Sequence, residues 1–174
     1  MKQDVLKGLK PARVWHWFGE IMQIPRPSKH EERISAYLVN WGKEHGLETK
    51  SDKLGNVLIR KPATKGYEKS PMVCLQAHMD MVCEKNSNKK FNFMTDPIQP
   101  LLDGEWLTAD GTTLGADDGI GVAAILEDKK IAHPALEALI TVDEETGLTG
   151  ASGLSKNWLK SEILLNFDDE DEGE

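Results

Sequence analysis

Four short segments concentrate the residue types that hold metals or move protons. They are His78-Met79-Asp80, Gly115-Ala116-Asp117-Asp118-Gly119, Asp143-Glu144-Glu145 and Asp168-Asp169. On an extended chain residues i and i+2 face the same way. Asp80 can therefore reach the ring nitrogen of His78 that does not bind a metal, which fixes the tautomer and raises the basicity of the ligating nitrogen. Glycines on both sides of Asp117 and Asp118 permit a tight backbone and close approach to an ion. Glu144 and Glu145 leave their strand pointing in different directions, so one can hold a metal while the other acts on a water. Taken singly, each segment also reads as an ordinary acidic cap or solvated turn. Together they lie at or just beyond the C-terminal ends of successive apolar strands, the edge along which open α/β sheets bind ligands. Carboxylates gathered there repel one another unless cations sit between them. One imidazole with several carboxylates suits zinc, manganese or cobalt.

Two other motifs compete for these residues. Gly119-Ile120-Gly121-Val122-Ala123-Ala124 fits the dinucleotide pattern G-x-G-x-x-A. It is set aside because two acids already occupy the helix N-terminus where a pyrophosphate would sit. The terminal run Asp168 to Glu174 mimics part of a calcium loop, but the rest of that loop and its leading helix are missing. An acidic tail is the ordinary reading of such a run. Because it follows a strand, Asp168 is expected to be a ligand and the remainder loop.

The elements that must position these residues are legible in outline. A first helix is predicted over about 11–22, with Val14, Trp17, Phe18 and Ile21 on one face. Ser28 reads as the N-cap of a second helix, with Glu31 as its capping-box partner, Ile34, Tyr37, Leu38 and Trp41 on the inner face, and Gly46 as the stop. Strands are expected at Val57-Leu58-Ile59, Met72 to Ala77, Leu139 to Val142 and Ile163 to Phe167. Asp110-Gly111 predicts a hairpin between Trp106-Leu107-Thr108 and Thr112-Thr113-Leu114. Helices are expected from near Gly119 and from Thr149. Helices between apolar strands indicate an α/β fold: a mixed, largely parallel sheet flanked by helices.

Composition narrows the function classes. The chain has 174 residues, 39% apolar and 29% charged, enough to bury a core. Six of the eight excess negative charges lie in the last seven residues, so the body is near neutral. Neither a nucleic-acid surface nor a basic membrane patch is expected. No apolar run approaches the roughly 18 residues of a membrane span, and the first residues carry no secretory signal core. Cys74 and Cys83 make no disulfide framework, so both are expected to be reduced thiols in a cytoplasmic protein.

Taken together, Leu75-Gln76-Ala77-His78-Met79-Asp80-Met81-Val82, Gly115-Ala116-Asp117-Asp118-Gly119-Ile120-Gly121 and Glu144-Glu145-Thr146-Gly147 resemble the dinuclear zinc peptidases of the glutamate carboxypeptidase and acetylornithine deacetylase superfamily. Pro25-Arg26-Pro27-Ser28, Ala109 to Gly115 and Leu164-Leu165-Asn166-Phe167-Asp168 are similar to its aminoacyl-histidine dipeptidase subgroup, also called Xaa-His or cytosol non-specific dipeptidases.

The resemblance implies roles position by position. His78 and Asp168 are ligands of one zinc, Asp117 bridges both metals, and Glu145 is a ligand of the other. Asp80 orients His78, and Glu144 is the general base. A cis peptide is implied between Asp117 and Asp118, and Asp118 itself replaces an asparagine expected in this subgroup. The implied cofactors are two divalent ions, zinc foremost, with cobalt or manganese as substitutes. The implied activity is hydrolysis of dipeptides such as β-alanyl-histidine, with the complete family member a homodimer. Residues 1–174 then represent the N-terminal part of the catalytic domain, without the lid and dimerisation domain and without the late segment that brings the last metal-binding histidine. His16, His30, His45 and His133 match no such ligand, so the chain alone is expected to be weakly active or inactive. A related N-acyl amino acid deacylase or carboxypeptidase, or a non-catalytic metal-binding fragment, are the alternatives.

Overall fold

The computed structural model describes residues 3–127 and 131–168. The acidic run expected to be loop, 169–174, lies outside them. After a 3-10 turn at Gln3–Leu6, the elements are α1 (Ala12–Ile21), α2 (Glu32–Glu44), β1 (Glu48–Ser51), β2 (Val57–Lys61), β3 (Val73–His78), β4 (Pro100–Asp103), β5 (Trp106–Ala109), α3 (Ala116–Ile125), β6 (Leu136–Thr141), α4 (Thr149–Ser152) and β7 (Ile163–Asn166).

The main sheet has the order β1-β2-β6-β3-β7. β6, β3 and β7 run parallel, with His78 opposite Thr141 and Gln76 opposite Asn166. β2 is antiparallel to β6, and β1 to β2. The fold is thus α/β with a mixed sheet. The helices follow from amphipathic spacing: α1 buries Trp17, Phe18 and Ile21, and α2 buries Ile34, Leu38 and Trp41. These side chains meet Val57, Ile59, Ala77, Ile140 and Val142 from the sheet and Val122, Ala123 and Leu126 from the α3 region in one core. The alternate strand residues Leu58, Cys74 and Leu139 face the other way, against Leu154, Trp158 and Leu159.

Two local expectations are corrected, and one strand appears that was not expected. Ser28 does not cap α2, and Glu31 does not bond back to it. The Ser28 hydroxyl donates instead to Asp80 at 2.7 Å, and the Glu31 carboxylate accepts from the amides of Lys29 and Asp143. A tertiary carboxylate thus outcompetes the local capping geometry. The hairpin at Asp110-Gly111 also does not form. β5 pairs with β4 across Gly104, whose φ of 61° suits the turn. Residues 112–114 run beside 84–86 instead, with Thr113 N donating to Glu84 O and Asn86 N to Gly111 O. Finally, the polar segment Glu48–Ser51 is a strand that periodicity did not predict, formed by pairing with the edge of β2. Both cysteines are free. Among the described residues, no helix is long and apolar enough to cross a membrane.

Candidate metal and catalytic site

Three neighbouring parallel strands deliver the site. His78 ends β3, Asp143-Glu144-Glu145 follow β6, and Asp168 follows β7. Phe167 N still bonds to Gln76 O, which keeps the exit of β7 alongside β3. Asp117 and Asp118 enter from the start of α3. Gly115 takes up a left-handed φ of 69° there, and Asp117 and Asp118 depart from helical angles. The peptide between Asp117 and Asp118 is cis, as the resemblance implied.

The imidazole of His78 is fully buried and central. Its Nε2 lies 2.9 Å from Asp117 Oδ1 and 4.0 Å from both Glu144 Oε2 and Asp168 Oδ2. Its Nδ1 lies 3.3 Å from Asp80 Oδ1 without the alignment of a hydrogen bond. Ligand atoms of His78, Glu144 and Asp168 fall within 4.8 Å of one another, as do those of His78, Asp117 and Glu145. All six residues singled out in the sequence are therefore brought together. The two groups share His78 and divide the carboxylates between them. Among the described residues, none of the other histidines joins a candidate metal group. His45 stacks on Trp41, and the His133 ring meets Pro134 O at 2.7 Å.

The electrostatics match a site built for added positive charge. Burial alone disfavours a charged His78, but the Asp80 and Asp117 carboxylates overcome it and push the imidazole up to about 9. Burial, then repulsion from neighbouring acids, raises Glu144 and Glu145 above the usual carboxylate range. Asp80 moves the other way. Burial opposes its charge, but His78, the Glu144 amide and the Ser28 hydroxyl hold it down at about 2. One imidazole and four carboxylates within this radius suit a pair of divalent cations. With Nδ1 turned to Asp80, Nε2 is the nitrogen free to ligate.

Three further residues support the site in ways the sequence did not reveal. Asp118 is buried, accepting from His78 N at 3.2 Å and from Gly121 N at 3.1 Å, and burial raises it to about 7. It joins the end of β3 to the start of α3; the sequence singled Asp118 out as a departure from the resembling subgroup, but not as this link. Glu31 accepts from the Asp143 amide and so pins the turn after β6. Arg26 is buried behind the site and bonds to Met79 O and Asp80 O. Nothing in a Pro-Arg-Pro tripeptide signals burial.

No family model matches the chain. Over 172 residues it is 52% identical to the cytosol non-specific dipeptidase of Escherichia coli (strain K12), covering 97% of this chain and 36% of that protein. It resembles the crystal structure of aminoacylhistidine dipeptidase from Vibrio alginolyticus with a TM-score of 0.93 and 53% identity, covering 97% of this chain and 35% of that one. A tripeptidase from Staphylococcus aureus is similar at a TM-score of 0.75 and 27% identity, over 90% of this chain and 43% of that one. The motif resemblance therefore extends along nearly the whole chain, which spans about a third of the length of the dipeptidases it matches.

Proposed function

We infer that this chain is the N-terminal part of the catalytic domain of a metal-dependent dipeptidase. It is similar along nearly its whole length to proteins named for that activity, and its cluster has the donor set for two divalent ions. The single observation that carries the reading is the convergence of four carboxylates on one buried imidazole at the C-terminal ends of three parallel strands.

His78, Asp117, Glu145 and Asp168 are the residues to hold the ions, zinc foremost, with cobalt or manganese as substitutes. Bound there, two such ions supply Lewis acidity and a water acidified toward neutrality. The protein's own part is proton handling and orientation. Glu144 sits 4.0 Å from His78 Nε2, and its raised proton affinity suits a group that takes a proton from an attacking water and returns it to a leaving amine. Asp80 keeps the His78 ring facing the cluster. The substrate class is dipeptides, including those ending in histidine, in a cytoplasmic enzyme whose complete form is a homodimer.

The test joins this chain to the remaining two-thirds of the Escherichia coli relative. The chimera is expected to bind two zinc ions and to cleave β-alanyl-histidine in preference to N-acyl amino acids. Glu144→Gln is expected to lower turnover by about 10²–10⁴-fold with zinc content unchanged. Full turnover in that variant would overturn the base assignment, and preference for N-acyl amino acids would favour a deacylase. For the 174-residue chain alone, zinc retained after desalting is expected in the parent and lost in His78→Ala. No retained zinc would overturn assembly of the cluster in this chain.

A further inference from the structure

Arg26 lies in the Pro25-Arg26-Pro27 segment that crosses from α1 to α2, where Pro27 bridges to Met81. Its side chain is only 2% exposed, yet the hydrogen bonds described for it go to three backbone carbonyls and none to a carboxylate. Nη1 donates to Met79 O at 2.9 Å and to Asp80 O at 2.8 Å, and Nη2 donates to Gly115 O. Met79 and Asp80 belong to the segment carrying His78. Gly115 stands two residues before Asp117 and is 35 positions further along the chain than Asp80. One planar fork thus fastens together the two segments that face each other across the cluster.

The surroundings are shaped to admit that fork. A Cβ at Gly115 would stand 2.5 Å from Nη2 and 2.8 Å from Met81 Sδ. A Cβ at Gly119 would stand 2.5 Å from the same nitrogen and 3.1 Å from the Phe18 ring. The two glycines flanking Asp117-Asp118 therefore make room for a guanidinium as well as for an unusual backbone. A guanidinium is suited to the task because its donors are fixed in one plane, whereas an ammonium is a single point charge on a flexible stem.

We propose that Arg26 is a positioning residue for the metal cluster, a clasp that sets the separation of His78 from Asp117 by binding the carbonyls of Met79, Asp80 and Gly115 at once. The proposal rests on the metal-site reading above for its consequence but not for its geometry, and the test separates the two. Arg26→Lys and Arg26→Ala are compared with Arg60→Lys, a change to a buried ion pair remote from the cluster. Zinc affinity is measured by chelator competition, and backbone amide exchange is measured on the metal-free chain. Arg26→Lys is expected to weaken zinc binding at least tenfold and to speed exchange at His78 and Gly121 together. Arg60→Lys is expected to lower the melting temperature with zinc affinity intact. If Arg26→Ala folds, added guanidinium ion is expected to restore affinity in part. Unchanged affinity and unchanged exchange in Arg26→Lys would overturn the clasp, as would loosening of one segment alone. If the parent binds no zinc but Arg26→Lys loosens both segments, the metal reading fails and the clasp stands.

Discussion

Asp80 accepts a hydrogen bond from the backbone amide of Glu144 at 3.0 Å. The same carboxylate faces His78 Nδ1, and its other oxygen accepts from Ser28 Oγ and the Glu145 amide. The acid that faces the imidazole therefore also anchors the turn carrying both glutamates.

Asp80→Asn tests that double role. An amide has one oxygen, so whichever way it turns, its NH2 confronts a donor. The unmade bonds are expected to cost about 1–3 kcal/mol of stability. Zinc affinity is expected to fall about 10–100-fold, as for other partners of metal-binding histidines. Thermal melts and chelator competition on the 174-residue chain measure both. Parent-like zinc affinity would show that Asp80 does not organise the ligands.

Gly121→Ala probes the contact between α3 and the strand ends. A Cβ there would stand 2.1 Å from Asp118 Oδ1 and 2.8 Å from the Phe167 Cβ. Asp118 holds the His78 amide and has no open space to move into. The substitution is expected to destabilise the chain by about 1–3 kcal/mol, read from urea midpoints. The companion change Ala124→Gly in the same helix is expected to show only the helix-propensity loss of about 1 kcal/mol. Equal effects of the two would remove the steric argument.

Glu137 governs acid stability away from the site. It is fully buried, with Arg60 Nε at 2.8 Å and its other oxygen accepting from Lys160 N, Ser161 N and Ser161 Oγ. Burial would raise its proton affinity, but the Ser161 hydroxyl, the Lys160 amide and Arg60 outweigh it and hold the carboxyl below its ordinary value. A depressed folded-state value means the stabilisation is present above the unfolded pKa of about 4.3 and is lost as pH falls through the folded one. Glu137→Gln is expected to lose about 1–3 kcal/mol at pH 7: Arg60 keeps Glu48 at 2.9 Å, but the buried amide turns its NH2 toward either Arg60 or the Ser161 and Lys160 donors. The gap between parent and variant is expected to narrow as pH drops from 5 toward 3. Unfolding curves that stay parallel across that range would refute the assignment.

Some of this architecture is local and was therefore open to the sequence. Apolar runs marked β2, β3, β6 and β7, and helical spacing of Trp17, Phe18 and Ile21 marked α1, because burial imposes those periods residue by residue. His78, Asp80, Glu144, Glu145 and Asp168 stand at or just past the ends of those runs, Asp117 lies between glycines at the start of α3, and it was the motif resemblance that singled out all six. What remained closed was everything decided by distant partners. No local signal says that β6, β3 and β7 lie side by side, and without that order His78, Glu144 and Asp168 are three unrelated strand ends. Ser28 looked like a helix cap until a carboxylate 52 positions away claimed its hydroxyl. Asp110-Gly111 looked like a hairpin turn until the segment after it found partners near Glu84. Arg26 stood only as one residue of a family-like segment, because only the folded chain brings three backbone carbonyls within reach of its side chain. Propensity and spacing act over a few residues and choose the elements. Hydrogen bonds between segments dozens of positions apart form only once the core has collapsed, and they decide how those elements become a site.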